Sequence, residues 1–461
     1  WAVPIFLKFN QNLFMPWAIG VLTCIAFSIT VLCIVGLFDL KNPVTIWLLS
    51  AVVVTHPTVI AYHGFLSSAF AYGMAMALSA FCVFIAVKCK NKTISFILGV
   101  LILALSIGTY QSYLCFAAVL MLLYLIYIAL EQDTTFKQIF LIAVRLLLLL
   151  IAGIVVYYAI AMVVLKYNNA NWQSYRGIGT YQLNTMHLFL GQIKDTWMFS
   201  MRSWFKVNEM GGYATENVVA LHKLLFGSAF VLMTAIVIVK KVYQKPLKLI
   251  MIISLLLMIP FAANSIYMLE PSEIPHLLMR FGMIAPFIFA VILLEFDSTE
   301  LKNAKKAIMY IIGASKCAII ILTCILSYNL WLTANAAYLN ITNVYQKSFV
   351  VANIVVNDIK STQGYYENMP IQFVGNFDES TFSGDAPERE KLSGLMVSNK
   401  SSAFSYAGVF ERFVENILNE KLNITLFTKD DTLQNSMPGY PTKGYINVLE
   451  DKMLVKLGDG K

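Results

Sequence analysis

Apolar runs of about 20 residues dominate the first two-thirds of the chain, each bounded by a short polar turn. In lipid such runs are helices, because each backbone N–H and C=O must find its partner within the segment. Ten are read: Trp17–Phe38, Val44–Tyr62, Ser67–Val87, Ile94–Thr109, Ser112–Leu130, Gln138–Leu165, Val218–Val239, Leu247–Ile266, Leu277–Leu294 and Ala307–Trp331. From Asn335 the pattern changes. Asn335–Ser361 reads as a helix, Ile371–Gly375 as a short strand, and Ala386–Val397 and Tyr406–Leu418 as amphipathic helices. Tyr445–Leu449 and Met453–Leu457 read as strands of a hairpin. The pattern predicts a mainly α, polytopic membrane bundle over 1–334, with a long loop at 166–217, then a C-terminal α/β soluble domain over 335–461.

Composition narrows the function. Apolar residues make up 58% of the 461 and charged residues 13%, about half the charged share of a soluble protein. That excludes a soluble enzyme, a disordered chain and a disulfide-rich domain. Residues 1–334 carry 22 Lys and Arg against 11 Asp and Glu, whereas 335–461 carry 12 against 15. The net charge of +8 therefore belongs to the membrane part. It reads as cytoplasmic loop charge, not as a nucleic-acid surface. Lys41, Lys88, Lys90, Lys92, Lys137, Lys240, Lys241, Lys245, Lys248, Lys302, Lys305 and Lys306 fall in alternate turns, which places those turns in the cytoplasm. Both ends of the chain, the 166–217 loop and the 335–461 domain then lie outside. An outside start at Trp1 with no signal peptide implies a further helix upstream. All seven cysteines lie in or beside apolar runs, and no CxxC occurs. They read as buried thiols, not as a metal site or disulfide frame.

The cytoplasmic turns are too short for a nucleotide-binding domain. The sequence contains no GxxxxGK[ST] loop and no Asp-x-Asp motif. Chemistry is therefore expected at the outer helix ends. Pro57 breaks a helical hydrogen bond beside His56, so the second helix should kink there before ending at Tyr62-His63. His56 is either a cavity residue or a polar group bonded to neighbouring backbone. The turn Thr109-Tyr110-Gln111-Ser112-Tyr113 should present four hydroxyls and an amide at the outer surface, as an interfacial belt or a sugar-binding patch. His187–Phe205 has the alternation of a helix lying on the membrane surface, and its Arg202 suits a headgroup or a substrate phosphate. In Glu270-Pro-Ser-Glu273-Ile-Pro-His276-Leu-Leu-Met-Arg280, two acids, a histidine and an arginine enter a span together. His276 and Arg280, four apart, should share one helical face. Either Glu273 and Arg280 form a structural pair, or Arg280 and His276 build an anion site. A charge at that depth is costly, which favours the anion site. Arg145 and Lys316, also inside spans, should snorkel to the cytoplasmic side.

His56-Pro57, the run Leu66–Val87, Leu105-Ser-Ile-Gly-Thr-Tyr110-Gln111-Ser-Tyr113 and Met369-Pro-Ile-Gln-Phe-Val-Gly375 together resemble the Gtr-type serotype-converting glucosyltransferases of bacteria. The resemblance covers most of the chain. It implies a GT-C-like enzyme of the bacterial inner membrane with an extracytoplasmic active site. Such an enzyme takes a hexose, typically glucose, from a polyprenyl-phosphate carrier and attaches it to a surface polysaccharide such as O-antigen. It also implies a donor synthase and a flippase as partners. Membrane lipids are expected partners; nucleic acid and a cofactor are not.

On this reading Arg280, Arg202 and His276 hold the donor phosphate. Tyr110, Gln111, Tyr113, His56 and His63 line the sugar or acceptor pocket, and Glu270 and Glu273 are the candidate acids. The main catalytic acid of this fold class is expected in the first extracytoplasmic loop, and no acid occurs between Trp1 and Phe38, which puts that acid upstream of Trp1. The competing readings are a lipid-linked glycan flippase or other transporter, and a non-catalytic envelope scaffold. Lysine-dominated cytoplasmic helix ends disfavour transport.

Overall fold

The computed structural model describes residues 1–10, 16–131, 133–171, 186–207, 210, 215–269, 275–296, 306–375, 377, 407–428 and 436–458. The chain divides into two compact units, Trp1–Ala334 and Asn335–Lys461.

The first unit is helical. Its helices are α1 (Val3–Leu7), α2 (Pro16–Phe38), α3 (Pro43–Thr55), α4 (Pro57–Tyr62), α5 (Leu66–Lys88), α6 (Lys92–Thr109), α7 (Tyr113–Leu130), α8 (Phe136–Tyr167), α9 (Met186–Phe205), α10 (Glu216–Val239), α11 (Pro246–Ala263) and α12 (Ala285–Ile292). Helix α13 (Lys306–Ser361) begins in this unit and continues into the next. Among the described residues eight helices are long and apolar enough to cross a membrane, and α3 with the α4 segment, bent by 41°, makes a ninth. The bend falls at His56-Pro57, where proline removes a backbone donor. Helix α2 packs on α5, α5 on α6, α6 on α8 and α7 on α11. Glycines set the closest approach of α6 and α8: Gly99 lies under Leu149, and Gly153 under Leu103.

The expected span Leu277–Leu294 is not one α-helix. It is three 3-10 turns, Leu277–Met279, Phe281–Ile284 and Leu293–Glu295, around the short α12. Two conventional helices, Ala307–Trp331 and Asn335–Ser361, prove to be the single helix α13. The cysteines are all free, but Cys24 and Cys317 are exposed on the outer faces of α2 and α13 rather than buried.

The lysine-rich ends of the helices are tied by charge. Lys240 Nζ pairs with Glu131 at 2.7 Å, and the buried Lys248 donates to the Glu131 carbonyl at 2.5 Å. Glu295 accepts from the backbone N–H of Lys41 at 2.7 Å. Lys316 donates to the carbonyls of Leu294 and Phe296, and Arg145 to that of Lys92. Both in-span cations therefore end on polar groups at the lysine-rich end.

In the second unit four strands, β1 (Ile371–Val374), β2 (Ile424–Thr428), β3 (Ile446–Val448) and β4 (Met453–Lys456), form a sheet in the order β2-β1-β4-β3. Strand β1 is parallel to β2 and β4, and β3 is antiparallel to β4. A parallel pair needs a crossover, and helix α14 (Ala407–Ile417) lies in the β1–β2 connection. Val355, Ile359, Phe373, Phe410 and Val455 form the centre of its core. The expected helix Ala386–Val397 lies outside the described residues.

Candidate active site

A small cavity sits at the end of the bundle remote from Lys41, Lys240 and Lys248. It is lined by His56, Ser203, Trp204, Met210, His222, Leu277, Arg280, Met283 and Phe287. Its volume is about 20 Å³, room for one water-sized group. Three of its walls can carry or move charge: Arg280, His56 and His222, all of them buried. No carboxylate lines it among the described residues.

Local chain geometry explains each placement. The break at Pro57 puts His56 at the N-cap of α4, where Nδ1 accepts the Thr58 backbone N–H at 3.3 Å. In the neutral ring the proton then sits on Nε2, which makes His56 a donor. His222 lies on α10, two turns from its start, with Nδ1 3.1 Å from the Trp204 carbonyl. A carbonyl only accepts, so Nδ1 carries the proton and Nε2 of the neutral ring offers a lone pair. The two histidines thus present complementary groups. Trp204 is itself fixed by donating Nε1–H to the Met283 carbonyl at 2.9 Å, and Phe287 packs edge-on against both histidine rings.

Arg280 occupies the joint between two 3-10 turns. Its Nε donates to the Pro275 carbonyl at 2.8 Å, and its guanidinium lies 4.8 Å from the centre of the Phe199 ring. The ring face and the carbonyl both favour the cation. The joint is held by Gly282, where a side chain would meet the Ala263 carbonyl at 2.4 Å. Only glycine lets that backbone approach so closely.

The expected site residues are distributed unevenly around this centre. His56 and Arg280 come together. His276 does not share a helical face with Arg280, because the backbone between them is a 3-10 turn, and it is not among the lining residues. Arg202 sits on α9 beside Ser203 and Trp204, which face the cavity while Arg202 does not line it. Helix α9 is docked by one face, burying Thr196, Phe199, Ser200 and Trp204, with Trp197 donating to the Leu257 carbonyl at 3.0 Å. His63 bonds within its own helix, with Nδ1 3.3 Å from the Val59 carbonyl. The Tyr110 turn is not a surface display: Thr109, Ser112 and Tyr113 are buried. Tyr110 and Tyr113 instead join Tyr62 and Tyr72 in an aromatic cluster that reaches Phe281, and Gln111 donates to the Tyr157 hydroxyl at 3.1 Å. The buried hydroxyls of Tyr62, Ser112 and Tyr113 have no hydrogen-bond partner among the described residues. Glu270 and Glu273 lie outside the described residues.

Sequence reasoning missed His222. Its signal was its position, a lone histidine in the first two turns of an apolar span.

Comparison with known proteins gives one match. The family model described as Glucosyl transferase GtrII covers residues 2–287, which include α1 to the start of α12 and every described group lining the cavity. No curated protein and no solved structure matches the chain.

Proposed function

Because the chain belongs to the GtrII glucosyl transferase family, we propose that it moves a hexose, glucose in the family's own description, from a polyprenyl-phosphate carrier to a surface polysaccharide at the extracytoplasmic face of a bacterial inner membrane. The observation that carries this reading is the buried Arg280 beside His56 and His222, in a cavity at the bundle end away from the lysines. A buried guanidinium beside two histidines can hold an anion through charge-assisted hydrogen bonds. A phosphate joined to a lipid tail is the anion that reaches such a place.

The reaction breaks the bond between the anomeric carbon and the donor phosphate oxygen. It forms a bond from that carbon to an acceptor hydroxyl. Arg280 and the Nε2–H of His56 would take up the negative charge that develops on the departing phosphate. Fixed donors in a dry site do this without reorganising. The acceptor proton goes to a base. Glu270 and Glu273, both within ten residues of Arg280, are the candidate carboxylates, and His222 Nε2 is the proton acceptor among the described lining groups. A phosphoryl group exceeds the present cavity, so lining side chains give way when it enters. The Tyr62–Tyr72–Tyr110–Tyr113 cluster, in which the Tyr62 and Tyr113 hydroxyls have no partner among the described residues, suits stacking and hydrogen bonding to a sugar.

The test is label transfer in membranes containing the protein, offered polyprenyl-phosphate glucose or a nucleotide-linked glucose with a surface polysaccharide. Transfer from the lipid donor alone supports the proposal. Transfer from the nucleotide sugar alone, or label crossing the bilayer without transfer, overturns it.

A further inference from the structure

At the lysine-rich end of the bundle, remote from the Arg280 cavity, α6 and α8 part to leave an open groove of about 400 Å³. Phe96 and the α8 residues Leu141, Val144 and Leu148 give it apolar walls. Leu141, Val144 and Leu148 are exposed, as side chains facing lipid would be. Two cations close one end: Lys92, the first residue of α6, and Arg145. No acid lines the groove among the described residues.

Arg145 is the informative residue. It lies nine residues into α8, about 14 Å along the helix, yet its side chain stays at the level of the α6 start. One terminal nitrogen, Nη2, makes both recorded bonds, to the Lys92 carbonyl at 2.9 Å and to Ser95 Oγ at 2.5 Å. Those two bonds use both Nη2 hydrogens and fix the plane of the guanidinium, which leaves the Nη1 hydrogens as donors. A guanidinium held in this way keeps its full charge and offers Nη1–H to a phosphate oxygen. Lys92 adds a mobile charge on the same side, and the positive end of α6 a further partial one. Below this charged end, the apolar walls run in the direction an acyl chain takes.

We propose that this groove is a binding site for an anionic phospholipid of the lysine-side leaflet, its phosphate on Arg145 and Lys92 and one acyl chain along Val144 and Leu148. Charge complementarity selects the occupant: a zwitterionic lipid brings its own cation into a groove whose described lining offers no acid to receive it. Basic pockets between membrane helices recognise anionic headgroups in this manner.

Native mass spectrometry of the full chain, equilibrated with equal amounts of phosphatidylglycerol and phosphatidylcholine, tests the site. The intact protein should retain phosphatidylglycerol preferentially. Each cation contributes about fivefold to affinity, so Lys92→Gln with Arg145→Gln should weaken retention about thirtyfold. Lys137→Gln and Lys241→Gln together, which remove the same charge outside the groove, should leave it unchanged. Arg145 also braces α6, so a misfolded Arg145→Gln is replaced by Leu148→Trp, which fills the groove and keeps both cations; it too should lose the lipid. Equal retention of the two lipids, full retention by Leu148→Trp, or equal loss in the groove and control pairs would overturn the proposal.

Discussion

Replacing Arg280 by alanine separates a role in catalysis from a role in folding. In the folded chain its Nε bond to the Pro275 carbonyl is a charged hydrogen bond, worth about 1.5–3 kcal/mol, and its stacking on Phe199 adds about 0.5–2 kcal/mol. Against these stands the desolvation cost of burying the guanidinium, several kcal/mol. The two sides nearly cancel, so the thermal midpoint should move by only a few degrees. Catalysis has no such cancellation. A preorganised donor to a developing charge contributes about 2.7–4 kcal/mol, a rate factor of about 10²–10³. Arg280→Ala should lose that factor. Arg280→Lys, which keeps the charge and loses the fork, should lose about tenfold. The assay is the initial rate of glucose transfer from a labelled polyprenyl-phosphate donor, normalised to folded protein by size exclusion. Wild-type rates in Arg280→Ala, or a rate loss matching a loss of folded protein, would refute the phosphate role.

Other consequences follow from the same structure. In Gly282→Ala the new methyl meets the Ala263 carbonyl at 2.4 Å; the backbone must shift, at a cost of about 1–3 kcal/mol, and transfer should fall with the melting temperature because the same joint carries Arg280. Lys248→Met removes the donor to the Glu131 carbonyl and should cost about 1–3 kcal/mol in thermal unfolding while leaving the rate per folded molecule unchanged. In the second unit the Tyr445 hydroxyl donates to Asp358 at 2.7 Å, and burial, then that bond, raise its pKa. A raised folded-state pKa gives stability that is full below the unfolded value of about 10 and is lost as pH rises beyond it. Thermal melts should therefore drop above about pH 10, and Tyr445→Phe should flatten that fall while costing about 1 kcal/mol near neutrality.

Hydropathy made most of the bundle legible, because lipid leaves a long apolar run no alternative to the helix. The kink at His56-Pro57 was legible for a local reason, the missing proline donor. The Leu277–Leu294 segment was misread as one helix because apolarity does not distinguish α from 3-10 turns. The segment also packs its Gly282 closely on the Ala263 backbone, a tertiary contact that hydropathy does not reveal. The 3-10 turn Leu277–Met279 takes His276 off the face of Arg280. His222 gains its meaning only from the fold, which brings α10 against Trp204 of α9. In the second unit β2 escaped notice because Ile424–Thr428 is brief and takes its place by parallel pairing with a strand some fifty residues earlier. The tyrosine turn was found, but burial by neighbouring helices turned an expected surface display into an aromatic cluster.

On the proposed function the donor phosphate enters the cavity formed by Arg280, His56 and His222. A polyprenyl-phosphate glucose analogue carrying a photoreactive diazirine beside its phosphate tests this directly, with the labelled peptides identified by mass spectrometry. Label is expected on the segments holding His56, Ser203–Met210 or Leu277–Phe287, with competition by unlabelled donor. Label confined to the lysine-rich turns at Lys88–Lys92 or Lys240–Lys248 would contradict it.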